Sequence, residues 1–577
     1  MPSLKETYLR MVDKDFFEKA KKRECLERVL EEIEEQVLKS APTLTLIQLP
    51  PGYGKTAIPY SLSLWALSSD DVYLERSIHV LPLRSIVEDS WRGFKKGLGR
   101  IGLSNAEKIS GAQCMFVHGS PFLQKSLAIT TIDTFSLLMA KLPPSEMRKI
   151  ARGKLLGRYE SLGHYEVSRG ALFASVVVFD EVHLFLGEGK RGRVKSLTAL
   201  LALIRALLKW RVPVILMTAT LPSTWMMWLR KWFEERERGL LVKSLTYGEK
   251  SLRDEEFEYE IRSSKILTKI SSSDEEVYVK EIAESAESYE RVLVVTNTVE
   301  RAQKLYEKLR DLKPLLLHAK FTQGDRKKRV QTIGGEKGRR GKWFCISTQV
   351  IEAGVDLSAQ ALFTDIAPLC SLIQRGGRCC RPPLEVFEEG RLTICINDFA
   401  FSEASKVYDF AFLERAKEVV EKLDKNYNWH SYSDYKGLLE EAYKGLGELE
   451  EKVSYSLLKE MLTLLLDPYW ESRDALRLLL EFGSFTRDEP LITGVVCGDR
   501  EEPQDFENLK NNLIPLEFSD VSKIAKKYHK VELLTRDGKK ELKKVDKGVL
   551  YEMMLFGDVI GVRIPLELYD SERGLLV

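Results

Sequence analysis

Several short segments of this chain carry residue types, at particular spacings, that could handle a phosphate ester. In LPPGYGKT (49–56), Pro51, Gly52 and Gly54 form a tight loop whose main-chain N–H groups could cradle an anion. Lys55 would reach the β- and γ-phosphates, and the Thr56 hydroxyl would ligate Mg²⁺. Leu49 stands where the usual loop motif has its first glycine. Downstream, VVVFDEVH (176–183) drives four apolar residues into two carboxylates. One of them, Asp180, would hold Mg²⁺, and the other, Glu181, would orient and polarise an attacking water.

TATLP (218–222) follows another apolar run. Its hydroxyls, Thr218 and Thr220, together with His183, are candidates for coupling γ-phosphate state to domain closure; a plain strand-end turn is the alternative. In STQVIEAGVDL (347–357), Gly354 could bring a backbone turn to phosphate, and Asp356 could hold the ribose or orient an arginine.

In LIQRGGRCCRPP (372–383), Arg375, Arg378 and Arg381 are spaced three apart around two adjacent cysteines. A guanidinium delivered to a γ-phosphate typically accelerates its transfer by roughly 10³–10⁵-fold, and its planar fork grips two oxygens where lysine grips one. Arg378 and Arg381 would share one helix face and project across a cleft as it closes. Gln374 is placed to contact the nucleotide or the DEVH segment, and Arg375 to serve nucleic acid or structure. Cys379 and Cys380 are too close in sequence to chelate one ion together and read as packing residues.

The elements that must position these groups are strands alternating with helices. Short β-branched runs at 43–49, 77–83, 126–132, 174–180 and 212–218 are separated by helical patterns, and the pattern restarts at 291–297, 314–319, 342–348, 361–367 and 391–397. That alternation implies an α/β fold of two tandem parallel-sheet domains covered on both faces. We assign 1–40 to an N-terminal helical segment, with 13–39 as one solvent-facing amphipathic helix. The first domain spans 41–245, the second 246–400 and a helical, then α+β, accessory region 401–577. Within that region VELLTRDGKKELKKV reads as strand, turn, strand.

With 88 basic and 86 acidic residues among 577, no global field draws in polyanions, so nucleic acid must be met by a local groove. Eight scattered cysteines without a CxxC pair form no disulfide framework. The N-terminus lacks the apolar core of a signal peptide, and the most apolar stretch, 196–210, is interrupted by Arg205. The expectation is a cytoplasmic protein without membrane contact.

In their order, LPPGYGKT, DEVH, TATLP, STQVIEAGVDL and QRGGRCCR resemble the motifs of superfamily-2 helicases. The wording of DEVH, TQVIEAGVDL and DIAPLCSLIQRGGRCCR is similar to the CRISPR-associated helicase of type I interference systems. The resemblance implies two RecA-like domains, ATP and Mg²⁺ as cofactors, and translocation on single-stranded DNA with 3′ to 5′ polarity. It implies recruitment by a CRISPR RNA-guided surveillance complex. Arg84, Thr131, Asn297, Thr298 and Thr348 fall at its strand-contacting positions, where they would touch phosphate or sugar, while Asp133 would order its loop. That family often carries an HD nuclease domain, and the seven histidines here form no His-Asp dyad, so the expectation is a separate HD nuclease acting in trans. An RNA helicase or remodeller on the same scaffold is the alternative; a nucleotide-dependent scaffold without catalysis is a third reading.

Overall fold

The structure, a computed structural model, describes residues 2–577 apart from 19, 40, 69–73, 156–162, 188–192, 250–251, 264, 335–337, 339–340, 353–356, 382–388, 447–448, 488, 499–508, 536–537, 544 and 557–558. Gly354 and Asp356 lie outside the described residues.

Eight strands form the first sheet: β1 (Thr43–Gln48), β2 (Arg76–Leu81), β3 (Ser110–Cys114), β4 (Val117–His118), β5 (Leu127–Thr131), β6 (Ser175–Phe179), β7 (Val214–Thr218) and β8 (Leu241–Thr246). Their order is β4-β3-β5-β2-β6-β7-β1-β8, parallel except for β3 with β4. The central strands are buried along their whole length, because helices cover both faces and every side chain must be apolar or internally bonded. The segments after β1, β2, β6 and β7 therefore meet at one edge of the sheet, where open α/β folds bind ligands.

A second sheet comprises β9 (Lys265–Ser271), β10 (Arg291–Val295), β11 (Leu315–Leu317), β12 (Trp343–Ser347), β13 (Ala361–Asp365) and β14 (Glu389–Cys395), all parallel, in the order β11-β12-β10-β13-β14-β9. Both sheets are of the parallel kind expected from the alternating runs. The stretch 246–290, between the two sets of apolar runs, holds β9 and the helices Glu255–Ser263 and Glu275–Ser288. As an edge strand with exposed Lys265 and Lys269, β9 lacks the unbroken apolar run of its neighbours.

The N-terminal segment also differs from expectation. Instead of one helix over 13–39, two form, Leu4–Asp13 and Glu24–Val37. Left-handed backbone at Asp15 and Glu18 turns the chain between them, so that Phe16 is buried against Phe94. A Cβ on Gly97 would lie 2.4 Å from the Phe16 ring, which explains a glycine in that helix.

Past the second sheet, helices at Asp398–Ser405, Phe410–Val420, Tyr432–Tyr443, Tyr455–Leu466 and Ser472–Phe482 pack on both lobes. A third, mixed sheet follows, built from β15 (Ile492–Val496), β16 (Leu513–Leu516), β17 (Val531–Thr535), β18 (Gly538–Leu542) and β19 (Val559–Ile564). Antiparallel β17 and β18 are the hairpin read from the sequence. The apolar helix Arg193–Lys209 is buried against Tyr455–Leu466, and among the described residues no helix is long and apolar enough to cross a membrane.

Candidate nucleotide site and nucleic-acid cleft

The phosphate loop leaves β1 and enters the helix Ala57–Ser68, with Gly52 (φ 80°) and Gly54 (φ 96°) both in the left-handed region that glycine adopts without cost. Lys55 Nζ lies on the loop's own carbonyls, 3.2 Å from Leu49 O and 3.3 Å from Pro50 O. Tyr53, unremarked in the sequence, pins the loop from behind. Its hydroxyl donates to Asp254 at 2.5 Å and accepts from the Cys25 N–H at 3.1 Å.

After β6 the chain turns sharply. Glu181 has φ 50°, a left-handed conformation that costs a non-glycine residue of order 1–3 kcal/mol and is common at functional sites. Asp180 Oδ2 faces His79 Nε2 at 3.2 Å, and Oδ1 accepts the Glu181 N–H at 2.8 Å. Burial alone would raise the Asp180 carboxyl. The His79 bond, the Lys55 charge and the Glu181 N–H outweigh it and hold the group below the usual carboxylate range. Burial pushes Glu181 the other way, up to about 7, with the Asp180 charge adding and Lys55, Arg378 and Arg381 opposing. The two acids so acquire different protonation behaviour from their surroundings.

Gln374, on the helix Leu369–Gly376 of the second lobe, reaches into this turn. Its Nε2 is 2.9 Å from His183 Nε2 and 3.5 Å from Glu181 Oε2. A carboxylate accepts only, so the amide nitrogen faces it and donates to the imidazole as well. The His183 proton then sits on Nδ1 and donates to Thr218 Oγ1, 3.0 Å away. Burial drops His183 to about 3, which keeps the ring neutral and the chain of bonds polar rather than ionic. Thr218 Oγ1 also accepts from Thr220 N at 3.3 Å. Thr218, His183, Glu181 and Gln374 thus form one network across the two lobes.

The remaining contacts bring the arginine segment onto the phosphate loop. A Cβ on Gly377 would lie 3.7 Å from Pro51 Cβ. Arg378 donates to Glu352 O at 2.7 Å, and Arg381 N donates to Ser358 Oγ at 2.9 Å. Both guanidinium charges act to lower the Glu181 carboxyl against its burial. Gly376 serves packing, since a Cβ there would meet the Trp429 ring at 2.8 Å. Cys379 and Cys380 are buried, and a Cβ on Gly390 would lie 2.9 and 2.4 Å from their sulfurs, so they fill the space beside β14.

Of the two roles open to Arg375, the structure gives the structural one. Fully buried, it donates to Glu352 Oε1 (2.7 Å), Thr364 Oγ1 (2.9 Å) and Asn297 Oδ1 (2.9 Å). Glu352, which the sequence did not single out, therefore anchors Arg375 by its side chain and Arg378 by its carbonyl.

The strand-contacting set needs correction. Asn297 is 2% exposed, with its oxygen taken by Arg375 and its nitrogen given to Ile366 O at 2.7 Å. The Thr131 hydroxyl is buried as the cap of the helix Ile132–Met139. Thr298 caps the helix Val299–Lys308 and donates to Glu403 at 2.7 Å, and Thr348 is buried. Asn297 and Thr131 shape the edge of the sheet and are not presented as a groove surface, because their polar atoms are taken up by neighbouring protein groups. Asp133 orders more than its loop: it accepts from Arg487 Nε at 2.8 Å and from Thr486, tying the accessory region to the first lobe.

Arg84 stands in a different setting. It lines a cleft bounded by the first lobe (Arg84, Arg92, Phe116), the second (Phe321, Arg326) and the accessory region (Pro515). Burial lowers Arg84 to about 10, and the nearby charges of Arg487 and Arg326 add to the effect. The guanidinium groups of Arg84, Arg92 and Arg326 line this cleft, walled by two lobes and a third domain, and give it a local basic character in a chain of net charge +2. The acids Glu88 and Asp89 also line it.

Two parallel α/β lobes with a phosphate loop and paired acids on one, and arginines on the other, define a superfamily-2 nucleotide-dependent helicase scaffold. The DEAD/DEAH box helicase family model matches residues 23–227, and that for the C-terminal part of CRISPR-associated nuclease/helicase Cas3 matches 288–383. CRISPR-associated helicase Cas3 of Thermoproteus tenax is 25% identical over 355 residues, 60% of this chain and 55% of that protein. A putative CRISPR-associated nuclease/helicase Cas3 of Methanocaldococcus jannaschii is 28% identical over 290 residues, 48% of this chain and 36% of its relative. Among solved structures, T. fusca Cas3-ATP superposes with a TM-score of 0.63 at 18% identity, covering 100% of this chain and 72% of that one. By these matches the chain is similar to superfamily-2 helicases of the CRISPR-associated Cas3 group. It spans about a third to just over half of the length of the two curated relatives named.

Proposed function

We propose that this chain is an ATP-dependent single-stranded DNA translocase or helicase of CRISPR type I interference. The observation that carries the reading is the Gln374 bridge: a residue of the second lobe bonded to His183 and beside Glu181, with Gly377 against Pro51. It draws the phosphate loop, the acids and the arginines of both lobes around one point.

In this reading Pro51, Gly52 and Gly54 shape the loop that receives the triphosphate, and Lys55 turns from its carbonyls to the β- and γ-phosphates. The hard oxygen donors Thr56 and Asp180 fit Mg²⁺, and Asp180, held ionised, is the charged one of the pair. When bound, Mg²⁺ neutralises phosphate charge. Glu181 orients the attacking water, and Arg378 and Arg381 stabilise the charge that develops on the γ-phosphoryl oxygens. The Thr218–His183–Gln374 network registers closure in both lobes. Single-stranded DNA runs through the basic cleft, its phosphates met by Arg84 and Arg326.

Two partners complete the proposal. One solved neighbour, a CRISPR RNA-guided surveillance complex in a pre-nicking state, has a TM-score of 0.55, and an analogous complex would load this chain on its target. An HD nuclease supplied as a separate polypeptide would cut the strand that is exposed. ATP turnover measured with single-stranded DNA, with RNA of the same sequence and with neither tests the reading. Stimulation by DNA that Lys55→Ala and Asp180→Ala abolish is the expected result. Stimulation by RNA alone would favour an RNA remodeller, and full activity of either variant would overturn the site.

A further inference from the structure

In β2 the apolar residues Ile78, Val80 and Leu81 surround one ionisable ring. His79 is fully buried, in register with Ile129 of β5 on one side and Val178 of β6 on the other. A buried imidazole is costly unless its nitrogens are bonded. Its Nε2 meets Asp180 Oδ2 at 3.2 Å, while its Nδ1 is buried with no hydrogen-bond partner among the described residues. A carboxylate can only accept, so the ring proton sits on Nε2 and donates to Asp180. The neighbouring main chain adds a second grip, because Asp180 N donates to Val80 O at 3.0 Å. One strand therefore fixes both the backbone and the carboxylate of Asp180, 101 residues away in sequence.

We infer that His79 is a positioning residue for the magnesium end of the site. It anchors one oxygen of Asp180 while the Glu181 N–H anchors the other, which fixes the carboxylate that would hold the cation. Outer partners of this kind orient ligating carboxylates, and their loss typically weakens metal binding about 10–100-fold. The inference rests on Asp180 as the magnesium ligand. It adds that the ligand's aim is set from β2, the strand whose continuation carries Arg84 of the cleft.

The test compares His79→Leu, which keeps bulk but removes the donor, with His79→Gln, whose amide nitrogen reaches about as far as Nε2. Two quantities are read: the Mg²⁺ half-saturation of ATP turnover, and the Mg²⁺ dependence of binding a fluorescent ADP analogue, which involves no turnover. His79→Leu is expected to raise both half-saturations roughly 10–100-fold. Binding of the analogue without Mg²⁺ should stay within about twofold, and His79→Gln should stay within about threefold of wild type. Asp180→Asn is the control. If it shifts the Mg²⁺ dependence while a folded His79→Leu does not, the inference fails and the ligand assignment stands. If Asp180→Asn shifts nothing, the ligand assignment itself fails. Should His79→Leu not fold, His79→Asn, too short to reach Asp180, replaces it; equal Mg²⁺ dependence of the Asn and Gln variants would overturn the inference.

Discussion

Replacing Gln374 with Ala removes the one side chain seen to bond both to the imidazole and to the acid of the opposite lobe. The bond to His183 is 2.9 Å long and buried; the one to Glu181, at 3.5 Å, is at the limit of hydrogen bonding. A buried neutral hydrogen bond contributes about 1 kcal/mol net, and the stranded His183 nitrogen adds roughly 1–2 kcal/mol. The bridge exists only while the lobes face each other, so the loss of about 2–3 kcal/mol should fall on turnover, a decrease of roughly 30–150-fold. Nucleotide affinity, which depends on the phosphate loop, should change little. His183→Ala should cost a similar amount, and the double variant should be no slower than the slower single. The coupling energy of that cycle should be about 2–3 kcal/mol. The assay is DNA-stimulated ATP turnover beside equilibrium binding of a fluorescent nucleotide. Additive effects, or Gln374→Ala with unaltered turnover, would show that no bond between the lobes supports the chemistry.

Three further outcomes follow from the charges. Since burial raises Glu181 to about 7 and the water-orienting group must be ionised, kcat/KM for ATP should fall as pH drops through about 7; a flat profile between pH 6 and 8 would exclude this role. His183 and His318 are held neutral by burial with values of about 3, and His430 with about 4, against 6.5 in an unfolded chain. The unfolded state binds more protons below 6.5, so this stabilisation is complete above that pH and is lost progressively as pH falls toward 4, which thermal unfolding across that range would detect. Arg84→Ala should weaken single-stranded DNA binding and reduce the slope of log affinity against log salt by about 0.7, as expected for one lost phosphate contact.

How far the sequence could be read depended on the range of the interaction. Ten strands were visible because a strand covered on both faces must be an unbroken apolar run, and the phosphate loop and DEVH turn were visible because their chemistry is local. The edge strand β9 was missed since its lysines break that run. His79 reads as an ordinary strand residue until β6 is laid beside β2, and Glu352 gains meaning only when Arg375 folds over it. Arg487 pairs with Asp133 from 354 residues further along the chain, a distance no local pattern spans. Asn297 and Thr131 erred in the opposite sense. Their residue types suit nucleic acid, yet the sheet edge had already claimed their polar atoms.

The central claim is that nucleotide is hydrolysed between the lobes, by acids from one and guanidinium groups from the other. The most direct measurement is single-turnover ATP hydrolysis on single-stranded DNA by a variant carrying Arg378→Ala and Arg381→Ala, beside its nucleotide affinity. The account predicts near-normal binding with hydrolysis slowed by roughly 10³-fold or more. Hydrolysis at the wild-type rate would contradict it.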